Sequence, residues 1–237
     1  MAFFRWYPLH DYAVTIELDL PMGSLAQEKI QQLRQLTVNQ LGEQLIDLVP
    51  SYTSLTLCFH PKKNWTSFTQ AIEQLLNMAA TTTPTQVKKV STIKNIPVCY
   101  DVDFATDLEN LSSRLKISIE NIIELHHQPI YQVYAVGFTP GFPYLGEINK
   151  QLVVPRKEIP SPRIQAGSIA IAHHQTGIYP FSTPGGWHVI GRTPISLFDK
   201  NRSPVCFLET GDQVMFIPIS KTEFENWHES SNSVLEI

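Results

Sequence analysis

Residues 182–194 read Ser182-Thr-Pro-Gly-Gly-Trp-His-Val-Ile-Gly-Arg-Thr-Pro194, with glycine or proline at five of thirteen positions. Each interior proline removes a backbone donor and each glycine weakens a helix, so this stretch reads as turns feeding a short strand. The punctuation extends outward, because residues 129–218 hold 11 of the 17 prolines and 9 of the 11 glycines. A helical bundle or coiled coil is excluded over more than a third of the chain. Short strand candidates fall at Tyr131–Phe138, Leu152–Pro155, Ser168–Ala172, Trp187–Ile190, Ile195–Phe198 and Gln213–Ile217, a spacing that suits a closed or nearly closed β-barrel.

Upstream the pattern changes. Phe3–Tyr7 and Tyr12–Leu18 are rich in aromatic and branched residues, as strands are. Ser24-Leu-Ala-Gln27 fits a capping box and opens an amphipathic helix that ends at Gly42. Strands follow at Leu45–Val49 and Tyr52–Phe59, joined by a Pro50-Ser51 turn, and a second helix opens at Asn64 with Trp65, Phe68, Ile72, Leu75, Leu76 and Ala79 on one face. It runs into Thr81-Thr-Thr-Pro-Thr-Gln86, the best linker candidate. The expected class is α+β: a two-helix α/β sandwich over 1–86, then a barrel domain over 87–237. In the second domain Val87–Tyr100 reads as a strand, Thr106-Asp-Leu-Glu109 as a capping box, Ser118 as the cap of another helix, and Glu223–Ile237 as a short terminal helix.

Hydrophobic residues make up 43% of the 237 positions and charged residues 17%, the balance of a globular protein. No apolar run reaches the roughly 18 residues of a membrane span, and acidic residues interrupt the start, so a cytoplasmic location is expected. Cys58, Cys99 and Cys206 show no metal or disulfide spacing and read as buried thiols. Residues 129–218 carry seven Lys or Arg against five acids, while the rest of the chain is net −6. Residues 101–125 hold six acids and only Arg114 and Lys116 as bases. Phosphate backbones would be repelled, which argues against nucleic acid; a small anion among the arginines is the better fit.

There is no G-x-x-x-x-G-K-S/T, G-x-G-x-x-G, H-E-x-x-H or G-x-S-x-G. Four segments carry the remaining chemistry. Gly137-Phe-Thr-Pro-Gly-Phe-Pro-Tyr144 is either a barrel corner packed by its aromatics or a ligand-facing loop. Arg156 and Arg163, each following a proline, could clamp a carboxylate or phosphate or stand solvated. Adjacent His173 and His174 cannot both reach one metal from a regular strand, so no metal site is expected; Gln175, Thr176 and Tyr179 are neutral groups able to orient a ligand. Gly185-Gly186 lets backbone amides approach a ligand or another strand, with Trp187 and Arg192 as pocket walls or core. His126 and His127 end a helix, as dipole partners or as an acid/base group.

Taken in order, GFTPGFPYLGEI, LVVPRKEIPSPRIQAGSIAIA, HHQTGIYPFSTPGGWHVIGRTPISLFD and GDQVMFIPI closely resemble the family of the B subunit of bacterial ATP-dependent 5-oxoprolinase. That family takes in sporulation-kinase inhibitors and the first half of the carboxyltransferase part of urea carboxylase. The likeness is strong over Ile96–Pro218 and weaker over 1–86. It implies a cyclophilin-like barrel, a hetero-oligomer with the C and A subunits of 5-oxoprolinase, and ATP as co-substrate at the interface with the C subunit in converting 5-oxo-L-proline to L-glutamate. Two departures stand out: Asp101-Val-Asp-Phe-Ala-Thr-Asp-Leu108 replaces a Gly-Gly-x-Phe-Gly-x-Asp-Leu loop, and His173 stands where glycine is common.

A lactam resists opening until its carbonyl is activated, and phosphorylation by ATP activates it. The expected roles are positive charge from Arg156, Arg163 and Arg192, orientation by Gln175, Thr176 and Tyr179, backbone amides at Gly185 and Gly186, and acid/base work by His126. Two rival readings are a binding module that blocks a sensor histidine kinase and half of a biotin-dependent carboxyltransferase.

Overall fold

The computed structural model of the protein describes residues 4–60, 65–81 and 93–227. The expected starts at Phe3 and Asn64, the linker after Thr81, the stretch 87–92 and the tail after Trp227 lie outside these residues. The chain divides into two units, Met1–Lys89 and Val90–Ile237.

In the first unit, β1 (Phe4–His10), β2 (Ala13–Leu18), α1 (Ser24–Leu41), β3 (Leu45–Ser51), β4 (Ser54–Phe59) and α2 (Trp65–Thr81) follow in that order. The strands form one antiparallel sheet in the order β1-β2-β4-β3. In β4, Leu55, Leu57 and Phe59 are buried and the alternate residues are not, the period-2 pattern of a half-buried strand. They pack with Ile30 and Leu33 of α1 and with Phe68, Ile72 and Leu75 of α2. Two local readings are corrected. The N-cap of α1 is Gly23, which has no side chain to accept a hydrogen bond, so the Ser24 capping box does not form. The β3–β4 turn is Tyr52-Thr53 rather than Pro50-Ser51, with Tyr52 at φ 46° and Ser51 paired to Ser54.

The second unit runs β5 (Ile93–Val98), α3 (Leu108–Leu115), α4 (Ile119–His127), β6 (Tyr131–Val136), β7 (Pro143–Gly146), β8 (Ser161–Ile164), β9 (Ser168–Ala172), β10 (Gln175–Ile178), β11 (Thr183–Gly185), β12 (His188–Arg192), β13 (Gln213–Pro218) and α5 (Lys221–Glu225). Seven strands make one sheet in the order β12-β9-β10-β7-β6-β13-β5, and β11 pairs with β8 in a separate ribbon. Cys99, directly after β5, closes the sheet on its far edge: its N–H donates to Arg192 O and Arg192 N–H donates back to Cys99 O, both at 2.9 Å. Inward-facing Ile96, Val98, Ile169, Ile171, Ile178, Ile190, Val214 and Phe216 have no exposed surface, each contributing about 1.5–3 kcal/mol by burial.

Of Leu152–Pro155, Leu152 ends a 3₁₀ turn (Lys150–Leu152) and Val154 makes a single bridge to His173, while Ile195–Phe198 has a single bridge from Phe198 to Cys206; neither is a strand. Ser118 caps α4 by accepting the Asn121 N–H at 3.3 Å, in agreement with the sequence pattern. Thr106 does not cap α3; Asp107 occupies that place, and its carboxylate is engaged elsewhere. Of the thiols, Cys99 is buried while Cys58 and Cys206 are partly exposed. No helix among the described residues is long and apolar enough to cross a membrane.

Candidate functional site

Asp107 organises one end of the barrel. Its N–H donates to Val189 O at 3.0 Å, and its Oδ2 accepts the Val189 N–H at 2.7 Å, fixing the start of α3 to β12. The same Oδ2 lies 2.6 Å from Lys157 Nζ, and the side chains are only 15% and 19% exposed. Lys157 Nζ also donates to Ser161 Oγ at 2.8 Å, while the Lys157 backbone N–H donates to Gly186 O at 2.7 Å. His188 Nε2 sits 3.0 Å from Pro155 O, and burial pulls its pKa below the ordinary histidine value. Side chains distant in sequence are thereby joined around a charged, mostly desolvated pair.

A cleft of about 100 Å³ opens beside them, with Phe104 and Thr106 on one side and Ser161, Arg163, Gln165 and Arg192 on the other. The Arg192 guanidinium is held in place: Nε donates to Ala166 O at 2.8 Å, Nη1 donates to Gln165 Oε1 at 2.7 Å, and the group lies 5.7 Å from the Phe224 ring centroid. Burial without a carboxylate partner pulls its pKa down. Arg163 is exposed and makes no hydrogen bond or ion pair among the described residues. Asp103, the one acid in the lining, is paired with Lys221. The cleft therefore presents positive charge that no acid among the described residues neutralises.

Arg156 is not in that lining. Its charge acts on Tyr144 and Tyr179, opposing the rise that burial causes in both phenols; Tyr179 still reaches about 12. These belong to an aromatic wall in which Phe142 stands perpendicular to Tyr179 at 5.1 Å and to Trp187 at 5.6 Å. The pairing of Arg156 with Arg163 expected from their spacing is thus replaced by Arg163 with Arg192. Gly185 pairs with Ser161 across the β8–β11 ribbon, and a Cβ there would lie 2.5 Å from Tyr179 Oη, so the ring and not a ligand demands glycine.

His126 and Thr176 have no exposed surface. His126 Nδ1 is 2.8 Å from Tyr100 Oη and Nε2 is 2.9 Å from Thr176 Oγ1, with the Phe216 ring stacked at 4.7 Å. Burial drives the His126 pKa to about 3, so the ring is a neutral linker inside the barrel. His173 and His174 form the two-residue turn of the β9–β10 hairpin, His173 at φ 52°, instead of lying in a strand. Gln175 begins β10, paired with Ala172 and Gly146. No group of three His, Cys, Asp or Glu among the described residues could hold a metal ion. Motif reading alone does not single out Lys157, Asp107 or Ser161. The available signal is a lysine beside Arg156 inside the same proline-bounded segment.

A small α/β unit followed by a closed cyclophilin-like barrel is the architecture of a carboxyltransferase-type C and D protein. Residues 4–208 match the family described as carboxyltransferase domain, subdomain C and D. The 5-oxoprolinase B subunit of Bacillus subtilis (strain 168) is 38% identical over 194 residues, 79% of this chain and 81% of that one. The corresponding B subunit of Escherichia coli O157:H7 is 34% identical over 214 residues, 90% of this chain and 95% of that one. The crystal structure of TTHA0988 in space group P6522 superposes with a TM-score of 0.74 at 32% identity, over 88% of this chain; the chain spans 40% of that protein's length. The chain belongs to the family of 5-oxoprolinase B subunits.

Proposed function

We propose that this protein is the B subunit of a cytoplasmic, ATP-dependent 5-oxoprolinase, working with the A and C subunits to open 5-oxo-L-proline to L-glutamate. The observation that carries the reading is 38% identity to a 5-oxoprolinase B subunit over 81% of that protein's length. The reaction consumes ATP and two waters: phosphorylation of the lactam oxygen, ring opening at the C–N bond by water, and hydrolysis of the resulting acyl phosphate. The chemistry calls for positive charge, which Arg163 and Arg192 supply at the cleft and Arg156 at the aromatic wall. ATP is assigned to the junction with the C subunit, since a cleft of about 100 Å³ is far smaller than a nucleotide needs. Gln175 and Tyr179 orient the reactants, and Gly185-Gly186 keeps the backbone close to β8. His126 and Thr176 act by fixing the barrel that carries these groups.

The test is reconstitution. A mixture of all three subunits releases ADP in a 5-oxoproline-dependent manner, and omission of this chain abolishes the release. Undiminished turnover without it refutes the proposal.

A further inference from the structure

We propose that the cleft between the 103–106 loop and the β8–β11 ribbon is a preformed site for the carboxylate of a small ring acid, with Ser161 as a directed hydrogen-bond donor. Lys157 and Asp107 act as the residues that position it. The choice of ring acid rests on the 5-oxoprolinase reading; the carboxylate site itself does not.

Three observations converge. The first is uncompensated charge: Arg163 has no partner among the described residues, Arg192 is anchored to neutral oxygens only, and Asp103 is taken by Lys221. Two cations in a small cleft with no free acid select an anion, and the planar fork of guanidinium suits a carboxylate. The second is the direction of the Ser161 proton. Lys157 Nζ donates to Ser161 Oγ at 2.8 Å, so the hydroxyl oxygen is already an acceptor and its own O–H is left to donate. That O–H has no acceptor among the described residues, and Ser161 lines the cleft. Lys157 Nζ spans Asp107 Oδ2 at 2.6 Å and Ser161 Oγ at 2.8 Å, so it faces the serine as a hydrogen-bond donor held in place by the carboxylate. Ser161 is therefore a polarised donor and not a nucleophile. The third is size: about 100 Å³ admits a five-membered ring acid and excludes a nucleotide.

Calorimetric titration of the full chain tests this with four probes: 5-oxo-L-proline, tetrahydro-2-furoate (the carboxylate without the lactam), 2-pyrrolidinone (the lactam without the carboxylate) and inorganic phosphate. Both carboxylates bind, 2-pyrrolidinone does not, and phosphate at equal concentration does not displace them. Arg163→Gln, an exposed change that leaves the fold intact, weakens the carboxylates about tenfold or more, as loss of a charge-assisted hydrogen bond does. Ser161→Ala weakens them similarly. Lys157→Met weakens the wild type but adds nothing in the Ser161→Ala background, an outcome that a purely structural lysine would not give. Absence of carboxylate binding at millimolar concentration, unchanged binding by Arg163→Gln, or displacement by phosphate overturns the proposal. Arg163-dependent binding of tetrahydro-2-furoate with none of 5-oxo-L-proline keeps the carboxylate site and discards the 5-oxoprolinase assignment.

Discussion

Lys157 Nζ and Asp107 Oδ2 meet at 2.6 Å across fifty residues of sequence, and the same carboxylate oxygen holds the backbone of Val189. A pair this enclosed is dangerous to break singly, because the surviving charge is left desolvated. Asp107→Ala should lower stability by about 2–3 kcal/mol in urea titration, and adding Lys157→Met should recover part of the loss. A double variant as unstable as the sum of the singles would show that the two do not act as a pair.

Arg163 and Arg192 share the cleft yet differ in what else they hold. Arg163→Ala should reduce kcat/KM of the three-subunit assembly by about tenfold to a hundredfold with Tm unchanged, since the side chain is exposed. Arg192→Ala should lower activity and also cost about 1–2 kcal/mol of stability, because the bonds to Ala166 and Gln165 go with it. Equal Tm losses for the two would contradict the geometry.

The buried imidazole sets an acid limit. His126 has a pKa of about 3 when folded against 6.5 as the ordinary value. Between these the unfolded chain takes up a proton that the folded chain refuses. Its contribution is therefore complete above about pH 6.5 and fades by about 1.4 kcal/mol per pH unit as pH falls toward 3. Urea midpoints of wild type and His126→Gln, compared from pH 7 down to pH 4.5, should show the steeper slope in wild type. Parallel slopes would mean the ring is protonated in the fold.

Gly185 and Gly167 should respond differently to the same methyl group. At Gly185 the added carbon meets Tyr179 Oη at 2.5 Å and Ile164 Cδ1 at 2.7 Å, both side-chain ends. Gly185→Ala should cost about 1–3 kcal/mol, with partial rescue by Tyr179→Phe. At Gly167, with φ +82°, the obstacle is the Thr193 backbone oxygen, so no side-chain change relieves it. Thermal melts of Gly185→Ala and Gly167→Ala, each with and without Tyr179→Phe, read this directly.

The elements legible in the sequence are those whose signal is local. Leu55, Leu57 and Phe59 alternate in β4, and Ile119, Ile122 and Ile123 recur behind a serine cap in α4. What stays hidden depends on partners far along the chain. β7 and β10 are four residues each and lie inside motifs that read as loops, and they become strands by pairing with each other and with β6 and β9 on either side. Asp107 shows in the sequence only as part of a capping pattern; the 2.6 Å contact with Lys157 exists because the start of α3 and the segment leading into β8 are brought to one end of the barrel. Arg156 and Arg163 look like a pair because seven residues separate them. In the fold the second lines the cleft together with Arg192, and the charge of the first acts on Tyr144 and Tyr179.

The two hydrogen bonds between Cys99 and Arg192 give the barrel a chemical gauge of its own integrity. The Cys99 thiol is 1% exposed and burial raises its pKa, so alkylating reagents find little thiolate until the seam parts. Cys58 and Cys206 are partly exposed and react without that step. The slow phase of thiol modification thus times the opening of the β5–β12 edge, separately from global unfolding. Anything that immobilises Arg192 from the cleft side slows that clock.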